Sequence, residues 1–130
     1  MLLDTHVLVW IALADPGLGR NARARLDKAM LAGSDIAVSA ISFWEIGMLV
    51  EKGRLAIDPE QTRTQALRVG IREIVVDGGL GIAASQLASF HGDPADRIIV
   101  ATARQEGLPL LTADRKILGW KAVKTIDATR

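Results

Sequence analysis

The chain contains no cysteine. That excludes thiolate zinc sites, cysteine nucleophiles and disulfide staples, and it suits a reducing compartment. Proline is scarce, at four in 130 residues, and apolar residues reach 49%, a composition that folds rather than stays disordered. No apolar run is long enough to span a bilayer. Met1–Asp4 lacks the basic flank and small-residue cleavage site of a secretory signal, so the expected location is cytoplasmic. The formal net charge of +1 gives no overall pull toward nucleic acid, although a sum is silent about local basic rims. The two histidines, His6 and His91, are the sole imidazoles available as metal ligands or bases, and such residues are more often structural.

What remains is a chain sized for one domain, residues 1–130. A chain of this length buries roughly two thirds of the surface exposed on unfolding, so it needs no structural metal. Short apolar runs alternate with helical stretches. Strands are expected at Met1–Leu3, Ile36–Val38, Glu73–Val76, Leu108–Leu111 and Ala122–Ile126. Helices are expected at Val7–Leu13, Asn21–Leu31, Ile41–Val50, Pro59–Val69, Gly81–Ser89, Pro94–Gln105 and Asp114–Leu118. In the second of these, Ala22, Leu26, Ala29 and Met30 are expected to face inward, and Arg20, Arg23, Arg25 and Lys28 outward. Strands separated by helices imply βαβ crossovers and a parallel sheet with helices on both faces.

In that architecture Asp4, Glu45, Asp96 and Asp114 fall near the C-terminal ends of strands or the N-termini of the helices that follow. With the first, second and fourth strands as neighbours, an order that topology rules permit but do not dictate, they share the rim where open α/β sheets bind ligands. Singly, each has a plainer explanation. Asp93-Pro94 is a helix start that leaves Asp96 in the first turn, Ser42–Glu45 matches a capping box, and Asp114 caps the last short helix. Asp4 resists that explanation most, because it follows a buried strand among apolar neighbours. As a group, converging carboxylates raise one another's pKa, and a hard cation such as Mg²⁺ or Mn²⁺ relieves the repulsion. Such an ion polarises a phosphoryl oxygen and activates water for attack on a phosphodiester. Thr5 and Thr112 are hydroxyls placed to orient a carboxylate or a bound water. Arg97 and Arg115 adjoin the acids, where they either touch phosphate or neutralise the cluster. Lys52, Arg54 and Lys116 lie near the rim or its flanks.

Three other features compete for attention. Gly79-Leu80-Gly81-Ile82-Ala83-Ala84 fits a dinucleotide fingerprint, but on the wrong strand and without the acidic residue expected further on. Trp10 and Trp44 read as core or interface residues, and Trp120 as the better base-stacking candidate. Val7, Val9, Ile11, Trp44, Met48 and Leu49 offer more apolar surface than one core needs, enough for a protein partner or a dimer contact.

Leu2-Leu3-Asp4-Thr5-His6, Ser39 through Glu45, His91-Gly92-Asp93-Pro94-Ala95-Asp96-Arg97 and Leu111-Thr112-Ala113-Asp114 together resemble the acidic motifs of PIN domains, specifically VapC-like ribonuclease toxins of type II toxin–antitoxin systems. The motifs span nearly the whole chain, in the right order. The resemblance implies a three-layer α/β/α fold with a five-stranded parallel sheet in the order 3-2-1-4-5. It implies a Mg²⁺- or Mn²⁺-dependent endoribonuclease acting on RNA, a homodimer, and a small VapB-like antitoxin. Carried over, Asp4, Glu45, Asp96 and Asp114 form the site, Asp4 and Asp96 are the direct metal ligands, and Asp93 supports them as the cap that places Asp96. The competing readings are a non-catalytic RNA- or partner-binding module of PIN shape, and a phosphotransfer domain with Asp4 as nucleophile.

Overall fold

The computed structural model describes residues 1–90 and 92–130. Five strands, β1 (Leu2–Leu3), β2 (Ala37–Ser39), β3 (Arg72–Ile74), β4 (Leu110–Thr112) and β5 (Thr125–Asp127), form one sheet in the order β3-β2-β1-β4-β5. Every pairing is parallel. The helices are α1 (Thr5–Leu13), α2 (Arg20–Leu31), α3 (Ala40–Glu51), α4 (Pro59–Arg68), α5 (Gly78–Ser85), α6 (Pro94–Glu106) and α7 (Arg115–Gly119). No helix of the described residues is long and apolar enough to cross a membrane.

The two-residue period of a strand divides the core. Leu2, Ala37 and Leu110 lie in register and pack against Leu80, Ala84, Ile99, Val100 and Ile117 of α5, α6 and α7. Their neighbours Leu3, Val38 and Leu111 belong to the opposite cluster, with Val7, Leu8, Ala22, Leu26, Ile46 and Ala66 of α1 to α4. Leu2, Leu3, Val38, Leu110 and Leu111 are all fully buried. Strands covered on both faces read as continuous apolar runs for this reason.

Two of the boundary changes have a clear physical cause. The Glu73–Val76 run stops pairing at Ile74, because its partner β2 ends at Ser39, which turns into α3. Val75 and Val76 are exposed. The fifth helix begins at Gly78 rather than Gly81, since the Asp77 side chain accepts from the Leu80 N–H and caps it. The Gly79–Ala84 run is therefore helix, not a phosphate-cradling loop, which removes the dinucleotide reading. Met30, expected inward, is exposed at 39%, while Ala22 and Leu26 are buried as expected.

Val7 and Val9 belong to the core rather than to an outer apolar face. Met48 and Leu49 are half-buried. At the far side of the rim, Gly19 lets two segments meet: a Cβ there would overlap the backbone of Thr129 and Arg130. The Gly19 and Asn21 N–H groups donate to the Ala128 and Arg130 carbonyls, which fixes the chain's last residues on the start of α2.

Candidate metal centre

Leu3 pairs with Val38 and with Leu111, so the residues that follow, Asp4, Ser39 and Thr112, leave the sheet level with one another at its C-terminal edge. Asp4 and Ser39 each cap the helix that begins there: the Asp4 carboxylate accepts from the Thr5 N–H at 2.7 Å, and Ser39 Oγ from the Ile41 N–H. A cap role thus belongs to Asp4 as it does to Asp93 and Asp114, contrary to expectation. The expected capping box at Ser42–Glu45 does not form, because β2 runs into α3 without a loop and Ser39 takes the cap position. Glu45 sits in the second turn of α3 instead. Asp93 caps α6 through the Asp96 N–H, and Asp114 caps α7 through the Lys116 and Ile117 N–H groups, as expected.

The buried threonines aim the acids. Thr112, fully buried, donates to Asp4 Oδ2 at 2.7 Å and accepts from the Asp114 N–H at 3.0 Å. It thereby couples two acids through a single hydroxyl. Thr5 Oγ1 donates to Glu45 Oε1 and also lies 2.8 Å from Ser42 Oγ. A hydroxyl has one proton, so with that proton on the carboxylate, the Ser42 hydroxyl is the donor in the second contact. Ser42, fully buried, is a supporting residue that sequence reasoning missed by assigning it to a cap.

Asp4 is only 3% exposed, and both its oxygens accept hydrogen bonds. Glu45 and Asp96 are half-buried and Asp93 is exposed. Among the described residues, Glu45, Asp93 and Asp96 each offer a carboxylate oxygen to a group whose atoms all lie within 4.8 Å of one another. Asp4, expected as a direct ligand, is outside this tight group, and Asp93, expected mainly as a cap, is inside it. Burial pushes the Asp96 carboxyl up to about 7, and the charges of Asp93, Asp4, Glu45 and Asp114 add to the rise. Burial also raises Glu45, with Asp4 and Asp93 adding to it and the Thr5 hydrogen bond opposing it. Each of the other four acids is thus within electrostatic reach of Asp96.

This donor set fits a hard divalent cation. It is all carboxylate, it has no sulfur or committed imidazole, and it lies partly open, so an ion would keep waters. His6 has another task. Its Nε2 accepts from the Ala113 N–H at 2.9 Å, which leaves the proton on Nδ1, 3.7 Å from Asp4 Oδ2. The ring also packs edge-on against Trp10. His91 lies outside the described residues.

Arg97 is expected either to touch phosphate or to neutralise the acids, and the structure shows its guanidinium engaged by backbone carbonyls. Its guanidinium donates to the carbonyls of Ala84, Ser85, Leu87 and Phe90, binding the α5–α6 connection to α6. Arg115 is 79% exposed and 3.9 Å from Asp127. Lys52 and Arg54 follow the end of α3, which leads away from the rim. The tryptophans also trade roles. Trp120 packs against Phe90 under the Arg104 guanidinium, whereas Trp44, beside Glu45, is 56% exposed.

A family model described as the PIN domain matches residues 1–123. The chain is 34% identical over 119 residues to Ribonuclease VapC22 of Mycobacterium tuberculosis, an alignment covering 90% of this chain and 88% of the relative. Among solved structures, it superposes on a chain of VapBC2 from Rickettsia felis bound to a promoter DNA fragment, with TM-score 0.71, 17% identity, and 97% and 96% of the two chains covered. A toxin–antitoxin complex from Klebsiella pneumoniae gives TM-score 0.63, 22% identity and coverage of 98% and 96%. At these identities the structural likeness speaks to the fold.

Proposed function

The chain belongs to the PIN-domain family, and from that premise we propose that it is a Mg²⁺- or Mn²⁺-dependent endoribonuclease, the toxin member of a toxin–antitoxin pair. The observation that carries this reading is the carboxylate rim. Five acids from four parts of the chain meet there, and Asp96 is raised to about 7 by burial and by the other four. Like charges held together at such cost in a folded protein call for a cation. The name of the relative in Mycobacterium tuberculosis supplies the reaction class.

Glu45, Asp93 and Asp96 would hold the ion, with Asp4 and Asp114 beside them. When bound, it supplies Lewis-acid stabilisation of the phosphodiester and makes water a nucleophile near neutral pH. The protein's own part is preorganisation. Thr112 fixes Asp4, Thr5 and Ser42 fix Glu45, and the Asp93 cap fixes the first turn that carries Asp96. None of these side chains has to reorganise when the substrate arrives.

The partner in this reading is a small VapB-like antitoxin. Its docking surface is the shallow apolar groove of about 210 Å³ between α1 and α4, lined by Leu8, Ile11, Ala66, Val69 and Ile71. On α3, Trp44 is exposed and Met48 and Leu49 are half-buried. The chain works as one unit over residues 1–130, as a homodimer in the cytoplasm, where its RNA substrate is found.

The test is RNA cleavage by purified protein in Mn²⁺, in EDTA, and with Asp4→Asn. Asparagine caps a helix about as well as aspartate, so this substitution removes charge and leaves α1 capped. Cleavage should require Mn²⁺ and fall at least about 100-fold in Asp4→Asn, the scale of losing a preorganised charge at a metal site. Full activity in Asp4→Asn would overturn the assignment. RNA binding without cleavage at any Mn²⁺ concentration would make the protein a binding module instead.

A further inference from the structure

The acidic rim has two unlike flanks. On the β3 side, Trp44, Val75 and Val76 are exposed, at 56%, 69% and 37%. On the β5 side the exposed groups are cationic. Arg115 follows the rim acid Asp114, and Asp127, opposite Thr112 in the β4–β5 register, lies between Arg115 at 3.9 Å and Arg130 at 3.5 Å. The Arg130 carbonyl accepts from the Asn21 N–H at 2.7 Å, which places Arg130 beside Arg20 at the start of α2. Arg23 follows one turn along, on the same side of that helix.

From this continuity we infer that Arg115, Arg130 and Arg20 form a strip that binds the phosphates of single-stranded RNA as the strand leaves the acidic rim. The inference rests on the ribonuclease reading and deepens it by giving the substrate a path and a side. Asp127 is an anion within the strip, and it does not cancel it. Thr129 donates to Asp127 Oδ1 through both its N–H and its hydroxyl, and the Asp127 side chain is 18% exposed against 79% for each flanking arginine. An approaching phosphate meets guanidinium first, and Asp127 serves as the bracket that holds two guanidinium groups near one another. Arginine suits this work, because its planar fork matches two phosphate oxygens at once. A strand directed this way leaves the apolar flank to a protein partner, so the two partners need not compete for one surface away from the acids.

The test measures binding of a fluorescein-labelled, mixed-sequence single-stranded RNA of about 20 nucleotides by anisotropy in EDTA, over a range of salt. Two double variants with the same change in net charge are compared with the wild type: Arg20→Gln/Arg130→Gln on the strip, and Arg54→Gln/Arg68→Gln on the α3–α4 side. The strip pair should weaken binding about 10-fold or more, and should lower the slope of log Kd against log salt by about 1.4, the value for two single-strand phosphate contacts. The control pair should change affinity by less than about 2-fold. Equal effects of the two pairs, or an unchanged slope in the strip pair, overturn the strip while leaving the nuclease in place. A wild type that neither binds nor cleaves RNA overturns both readings. Circular-dichroism melts of the variants separate lost contacts from lost folding.

Discussion

Thr112 donates its hydroxyl proton to Asp4 Oδ2 at 2.7 Å, joining residues 108 positions apart. The bond spans the two central strands at the edge where the acids gather, and the Thr112 hydroxyl oxygen in turn accepts from the Asp114 N–H. Thr112→Val keeps the shape and removes the hydroxyl. It strands a nearly buried Asp4 oxygen and the Asp114 N–H, so the metal-free protein should lose about 1–3 kcal/mol in urea unfolding. Mn²⁺ affinity by calorimetry should fall about 10- to 100-fold, as when a group that orients a ligand is lost. Thr112→Ser should restore both quantities, and wild-type Mn²⁺ binding in Thr112→Val would show that the bond does not orient the site.

The charge on Asp96 makes metal-free stability depend on pH in an unusual direction. Its carboxyl is raised from 3.8 to about 7, mainly by burial and then by Asp93, Asp4, Glu45 and Asp114. The folded protein therefore holds a proton that the unfolded chain releases. That contribution is fully present below 3.8 and is lost as pH rises to about 7. Glu45, also raised, acts in the same sense. In EDTA, Tm should decline from pH 5 to pH 7.5, where most proteins are near their best. Mn²⁺ needs the ionised carboxylates, so its stabilising effect should be larger at pH 8 than at pH 6. A metal-free Tm that climbs over this interval would contradict the proposed electrostatics.

Much of this site was legible because its acids follow strand ends, and strand ends are the clearest punctuation in the sequence. Leu2-Leu3-Asp4 and Leu111-Thr112 mark the rim with little ambiguity, and the resemblance to PIN domains supplied the strand order that the hydrophobic pattern left open. What was illegible depends on contacts between distant segments. Ser42 looks like a cap until Thr5 is found against it. Asp93 looks like only a cap until α3 brings Glu45 alongside. Val75 and Val76 have every local mark of a strand, and only the early end of β2 denies them a partner. Arg97 adjoins a site acid in sequence, but its stem leads the other way, to four carbonyls that no local pattern announces.

Those four carbonyls make Arg97 a tie between α5 and the loop that leads to Asp93. Arg97→Ala should cost about 2–3 kcal/mol in urea unfolding, since it leaves several carbonyls without a charged donor. Arg97→Lys should recover little, because a compact ammonium cannot reproduce the guanidinium fork. Limited proteolysis should cut both variants first between α5 and α6. Gly92 tests the same loop from the other end: a Cβ there would overlap the Phe90 ring and lie 3.0 Å from Asp96 Cβ. Gly92→Ala should destabilise by about 1–3 kcal/mol through overpacking, and should lower Mn²⁺ affinity by displacing Asp96. If either residue tolerates substitution without loss of stability, the loop is held by something else.

Asp93 and Asp96 can be separated because capping and charge respond differently to asparagine. Asp93→Asn keeps a good cap and removes one charge from the group with Glu45 and Asp96. Stability should stay within about 0.5 kcal/mol of wild type, while Mn²⁺ affinity falls and the apparent pKa of Asp96, followed by NMR, moves down. Asp96→Asn removes the group whose ionised form is most disfavoured. At pH 8 without metal, this variant should melt higher than the wild type, by an amount that shrinks toward pH 5, and RNA cleavage should disappear. Gained stability with lost activity is the signature of a residue kept for function against its own folding cost. A destabilised Asp96→Asn at pH 8 would instead mark Asp96 as structural, and would move the centre of the site to Asp4 and Glu45.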